Sequence, residues 1–141
     1  MHSLFALITG LALAATIRPA AADPMQAYAW QNRVLVLFAA EDDPRVEEQR
    51  ANLRSVTAGL ADRDLVAFAV VGGRIEPLHG RAPTDAAGLR ERLDVDDAAP
   101  FTALLVGKDG GVKWREERPA TTDELFALID SMPMRRAESG D

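Results

Sequence analysis

Three consecutive carboxylates, Glu41, Asp42 and Asp43, followed by Pro44 and Arg45, form the densest group of chemically capable side chains in this chain. They follow the apolar run Val34 to Ala39. That places them at the carboxyl end of an expected strand, where open α/β sheets put their sites. Grouped carboxylates can hold a hard cation through oxygen ligands, or share a proton because like charges raise each other's pKa. The same residues suit a structural task equally. Asp43 can cap the helix that Pro44 begins, and all three charges are favoured at a helix's positive end.

Other reactive constellations are thin. The chain has no cysteine, so thiol–disulfide exchange has no nucleophile and thiolate zinc has no ligand. Past residue 22, His79 is the single histidine, and one imidazole without thiols makes a poor transition-metal site. Ser55 and Ser131 fall in expected helices and Ser139 near the end, with no base paired to any of them. Gly72-Gly73 and Gly110-Gly111 lack the spacing of a phosphate loop and read as turns. Trp30 and Trp114 read as packing residues, with Trp114 able to anchor a partner if it stands on an edge strand.

The elements that position these residues follow from periodicity. Val34 to Ala39 and Leu65 to Val71 are continuous apolar runs, as in strands buried on both faces. Between them Val46, Leu53, Val56 and Leu60 recur at helical spacing, with Glu47, Glu48, Arg50 and Arg54 off that stripe. This strand–helix–strand order implies a parallel pair with a right-handed crossover. Ile75 to Leu78 is readable as a short strand in an irregular stretch. Thr84 is placed to cap a short helix carrying Leu89 and Leu93, weakened by Gly88. Phe101 to Val106, a turn at Lys108-Asp109-Gly110-Gly111, and Val112 to Arg115 read as a hairpin. Thr121 and Glu124 have capping-box spacing ahead of Leu125, Leu128, Ile129 and Met132, and Pro133 stops that helix.

The ends set the domain bounds. Leu4 to Ile17 is apolar apart from Thr9, Gly10 and Thr16, and Ala20-Ala21-Ala22 offers small residues for cleavage. Residues 1–22 are therefore expected to be a cleaved export signal. The apolar stretch is shorter than the roughly 20 residues of a spanning helix, so no stable membrane insertion is expected once it is removed. Residues 23–32 form a lead-in, 33–133 the folded domain, and 134–141 a charged tail. Losing Arg18 with the signal takes the net charge from −6 to −7. No basic stripe interleaved with aromatics appears, which argues against a nucleic-acid surface.

Summed, the order is β-α-β-(β)-α-β-β-α. A hairpin and final helix after a parallel βαβ unit is the thioredoxin-like arrangement, a three-layer α/β/α sandwich with a mixed parallel/antiparallel sheet. The stretches Arg33 to Ala40, Asp42-Asp43-Pro44-Arg45, Leu104 to Lys113 and Glu124 to Arg136 resemble a domain family of unknown function. That family is found in exported bacterial proteins and in vertebrate sushi-repeat-containing and coiled-coil-domain-containing matrix proteins. The resemblance, over about residues 28 to 136, implies a cysteine-free thioredoxin/peroxiredoxin-like fold and a periplasmic or secreted location. It carries no established catalytic residues.

In that arrangement the segment Ala99-Pro100-Phe101 comes near the acidic loop, at the place where thioredoxins hold a cis-proline. Glu41, Asp42, Asp43, Arg45, Pro100 and Phe101 are thus the expected binding surface, with a strand start and buried Phe as the alternative. A receiver-domain reading of Glu41 to Arg45 needs a phosphoacceptor, and Asp85 with Lys108 fills those positions poorly. The expected function is an exported, non-redox binding or structural module without a cofactor. Its partner is an unidentified protein or small molecule outside the cytoplasm. The alternative is an enzyme using the Glu41–Asp43 loop, with metal-assisted hydrolysis as its chemistry.

Overall fold

The computed structural model describes residue 12 and residues 22–140; the expected export signal lies almost wholly outside them. Five strands form one sheet: β1 (Arg33–Ala39), β2 (Leu65–Val71), β3 (Arg74–His79), β4 (Thr102–Val106) and β5 (Val112–Glu116), in spatial order β3-β2-β1-β4-β5. β1 pairs in parallel with β2 and antiparallel with β4. β3 and β5 are antiparallel edge strands. This mixed sheet between helices is the α/β architecture expected, and its order is consistent with a thioredoxin-like fold.

Strand alternation divides the core in two. Leu35, Leu37 and Ala39 pack with Val46 and Leu53 of α1 (Pro44–Arg54), Leu60 of α2 (Thr57–Asp62), and Leu125 and Ile129 of α4 (Thr122–Asp130). Val34, Val36 and Phe38 face Ala86, Leu89 and Leu93 of α3 (Ala86–Leu93), with Met25 and Tyr28 of the lead-in. The lead-in is docked, since the Tyr28 hydroxyl donates to the Arg81 carbonyl at 2.5 Å. Every residue of β1, β2 and β4 is buried, which explains their unbroken apolar runs.

Several local expectations need correction. The first expected helix is two, divided at Ser55 and Val56; Val46, Leu53 and Leu60 keep one buried stripe across the break, so apolar spacing alone conceals it. Asp85 rather than Thr84 caps α3, its carboxylate accepting from the Gly88 N–H at 2.9 Å. Gly88 belongs there because a Cβ at that position would collide with the Asp85 carboxylate. With Asp85 used in this way and β4 and β5 antiparallel, the receiver reading falls. Pro133 does not end the fold: it opens α5 (Pro133–Ser139), where its missing N–H costs nothing. Trp30 does not pack, being 66% exposed, whereas Trp114 packs against the first core cluster.

Candidate functional site

At the carboxyl end of β1 the chain turns through Asp42, which adopts φ +62°, a left-handed conformation that aspartate tolerates better than most residues. Asp43 then caps α1. Its Oδ1 accepts from the Arg45 backbone N–H at 3.0 Å and from Arg45 Nε at 3.0 Å, while Oδ2 accepts from Arg45 Nη2 at 2.8 Å. The Arg45 guanidinium, assisted by that backbone N–H and opposed by burial, holds the Asp43 carboxyl below the usual carboxylate range. The same guanidinium lies over the Phe101 ring, 4.7 Å from its centroid. Arg45 thereby joins the acidic loop to the segment ahead of β4, the juxtaposition expected from the sequence. Phe101 is buried, while Pro100 is exposed and its peptide bond is trans.

Glu41 turns the other way. Its Oε2 accepts from Arg74 Nη2 at 3.0 Å, and Arg74 in turn donates to Glu76. Glu76 also receives Arg50 at 3.1 Å, and Arg50 reaches Glu47 at 2.8 Å. Hydrogen bonds to Glu76 and Glu41 raise the Arg74 pKa, and Arg74 in turn lowers that of Glu76 against the effect of burial. Alternating charges thus rim an open groove of about 290 Å³ between Asp42, Pro44, Glu47, Arg50, Arg74 and Glu76. Gly72, at φ +58°, closes the loop's other side: a Cβ there would lie 3.1 Å from Glu41 Oε1.

The three carboxylates consequently do not converge. Asp43 faces Arg45 and Glu41 faces Arg74. Among the described residues no group of three or more His, Cys, Asp or Glu side chains is placed to hold a metal ion. What this end offers is a mixed-charge surface beside a covered aromatic ring. His79 stands on edge strand β3 opposite Ala67, apart from the loop residues named here.

Sequence reasoning missed two polar assemblies. Gln49, fully buried in α1, clamps the Ala120 backbone: its Nε2 donates to the carbonyl at 3.0 Å and its Oε1 accepts the N–H at 2.7 Å. At the opposite end of β1, Arg33 and Lys108 are buried cations that share the Glu138 carboxylate. Arg33 meets Glu138 at 3.1 Å and also donates to the Arg63 carbonyl at 3.0 Å, while Lys108 also reaches Asp64 at 2.9 Å. Burial pulls the Glu138 carboxyl up, but hydrogen bonds from Lys108 and Arg33 together hold it below its usual range. Burial likewise opposes the charge on Lys108, and bonds to Glu138 and Asp64 outweigh it. The sequence signal was slight: an arginine opening an apolar strand, and a glutamate in an apparent tail.

The chain is 31% identical over 129 residues to coiled-coil domain-containing protein 80 of Danio rerio, covering 79% of this chain and 15% of that relative. The chain therefore spans about a seventh of the relative's length. Residues 24–138, from the lead-in through α5, match a domain of unknown function, DUF4174. The chain belongs to that family.

Proposed function

We propose that this domain is a non-catalytic binding or structural module that works outside the cytoplasm, in the periplasm or as a secreted protein. One observation carries the reading: the loop at the usual place for a site has two of its three carboxylates engaged internally. Asp43 is committed to the start of α1 and to Arg45, and Glu41 to Arg74. A hydrolytic metal centre would need these oxygens free and convergent. Absence of cysteine removes thiol chemistry from the chain itself. The export-signal pattern of residues 1–22 supports the location.

The contact surface on this reading is the mixed-charge rim formed by Glu41, Asp42, Arg45, Arg50, Arg74 and Glu76, with Pro100 exposed beside Phe101. Alternating charges of this kind set partner choice and orientation more than affinity. The test is an activity panel on the purified domain against peroxide, disulfide, phosphoester and peptide substrates, with and without added divalent cation. No turnover above background is expected. Turnover that disappears in Glu41→Gln or Asp42→Asn would overturn the proposal and establish the enzymatic alternative.

A further inference from the structure

Helix α5 buries one residue, Arg135, and leaves its apolar residues Pro133, Met134 and Ala137 exposed. Helices in folded proteins owe most of their stability to a packed apolar face, and seven residues are too few to hold a helix alone. Charge supplies what apolar burial does not. Arg135 Nη1 donates to the Asp62 carbonyl at 2.9 Å, and the same guanidinium pairs with the Asp62 carboxylate at 2.5 Å and with Asp130 at 3.3 Å. Further along the helix, Glu138 pairs with Arg33 at 3.1 Å and with Lys108. These partners all belong to the body of the fold. Asp62 ends α2, Asp130 ends α4, Arg33 opens β1 and Lys108 follows β4.

The join to the body is short. The Ser131 and Met132 N–H groups donate back to the Ala127 and Ile129 carbonyls of α4, and Met132 packs against the first core cluster. Pro133 follows with no N–H to tie it down. What the helix covers is a second, independent observation. Arg33 is 1% exposed, and its Nε–H is the one buried side-chain group among the described residues that lacks a hydrogen-bond partner. Both of its hydrogen bonds leave from Nη1, to the Arg63 carbonyl and to Glu138. Buried donors are seldom left unmet, and on a charged group this is costly.

We propose that α5 is a releasable strap, closed by ion pairs instead of apolar packing, whose opening about Met132 bares Arg33 and Lys108. Closed, the strap balances both cations with its own carboxylate. Open, it admits water to the Arg33 guanidinium and leaves Lys108 with Asp64 alone. Positive charge then shows at one end of a chain whose net charge is −6. Loss of ionic hold is the trigger. The two carboxylates that anchor Arg135 are 65% and 46% exposed, so added salt reaches and screens them.

Hydrogen exchange on the intact protein at neutral pH tests the opening. The Arg136 and Gly140 N–H groups donate to the Met132 and Arg136 carbonyls, bonds that last only while α5 is formed. Amides of β1 report on the whole fold. The α5 amides should be protected about tenfold or more over free peptide, yet about 100-fold less than β1, without dependence on dilute urea. Salt at about 1 M should lower their protection threefold or more. Gln49→Leu should reduce protection in β1 and leave α5 unchanged, because the open strap keeps the bond between Gln49 and Ala120. Lys108 and Lys113 are the chain's two lysines, so amine acylation read by mass spectrometry follows the baring itself. In Arg135→Met, where Asp130 retains Arg63, Lys108 should react about tenfold faster than in the parent and Lys113 at the same rate. Protection of α5 equal to that of β1, with the same urea dependence, would overturn the proposal. So would α5 amides unprotected at low salt, α5 falling with β1 in Gln49→Leu, or Lys108 labelling unmoved by Arg135→Met. None of these results bears on the surface at the other end of β1.

Discussion

At the residue scale, Asp43 shows how one side chain can look like chemistry and perform architecture. Its carboxylate meets a backbone N–H, a guanidinium and the positive end of a helix at once. Asp43→Ala should destabilise the domain by about 1 kcal/mol, the usual worth of a helix cap, as measured by urea denaturation. Asp43→Asn keeps an acceptor and should lose less. Because the folded carboxyl lies below its ordinary value of 3.8, the charge-dependent part of its contribution is complete above pH 3.8. It fades as the pH falls through the folded value. Melting curves should therefore steepen in their acid dependence below about pH 4 for the parent and less so for Asp43→Asn. A parallel decline in both proteins would mean that Asp43 titrates without consequence. The cap was legible in the sequence because Asp-Pro is a local signal. Its bond to Arg45 was not, since an arginine two residues ahead has many rotamers and this one also lies over the distant Phe101 ring.

At the element scale, tertiary contacts decide what periodicity leaves open. β1, β2 and β4 were readable because burial on both faces leaves an unbroken apolar run, and β5 because a Gly-rich turn precedes it. The edge strand β3 was only faintly readable. It carries Pro77 and a register shift opposite Ala67 and Phe68, features that belong at sheet edges and blur a strand pattern. The join of α1 to α4 was invisible, because nothing local marks Gln49 as the partner of Ala120, 71 residues away. Gln49→Leu should cost about 1–3 kcal/mol by stranding the buried Ala120 N–H, while the Ala120 carbonyl keeps the Asn52 amide at 3.3 Å; a loss under about 0.5 kcal/mol by chemical denaturation, the level of a surface substitution, would show that water takes the place of the amide. Helix α3 offers a reversal of sign. Gly to Ala within a helix normally stabilises by about 1 kcal/mol, yet Gly88→Ala should destabilise, because the new methyl evicts the Asp85 carboxylate from its cap. In an Asp85→Ala background the same change should stabilise. A thermodynamic cycle of the four proteins measures both.

At the scale of the whole molecule, the two ends of the domain are fastened to one another. Arg33 opens the central strand and Glu138 lies in the last helix, yet they form an ion pair across 105 residues. Glu138→Gln would leave Arg33 and Lys108 short of negative charge inside the fold. Removing one partner of a fully buried pair costs about 3–5 kcal/mol, and a smaller loss, about 1–3 kcal/mol, is expected here because the Glu138 side chain is partly exposed and Asp64 still serves Lys108. Equilibrium unfolding checks this, and a cost under about 1 kcal/mol, as for a surface pair, would mean the cluster is solvated. The helix that supplies Glu138 was the part of the fold least readable from residues 134–141, whose charges look like solvent-facing chain until their partners are known. There is a consequence for the order of events during synthesis. β1 completes its sheet contacts only when residues 102–106 arrive, and Arg33 gains its carboxylate only when residue 138 does. A polypeptide still emerging from the ribosome therefore lacks these closing contacts until residue 138 is free to fold back on β1.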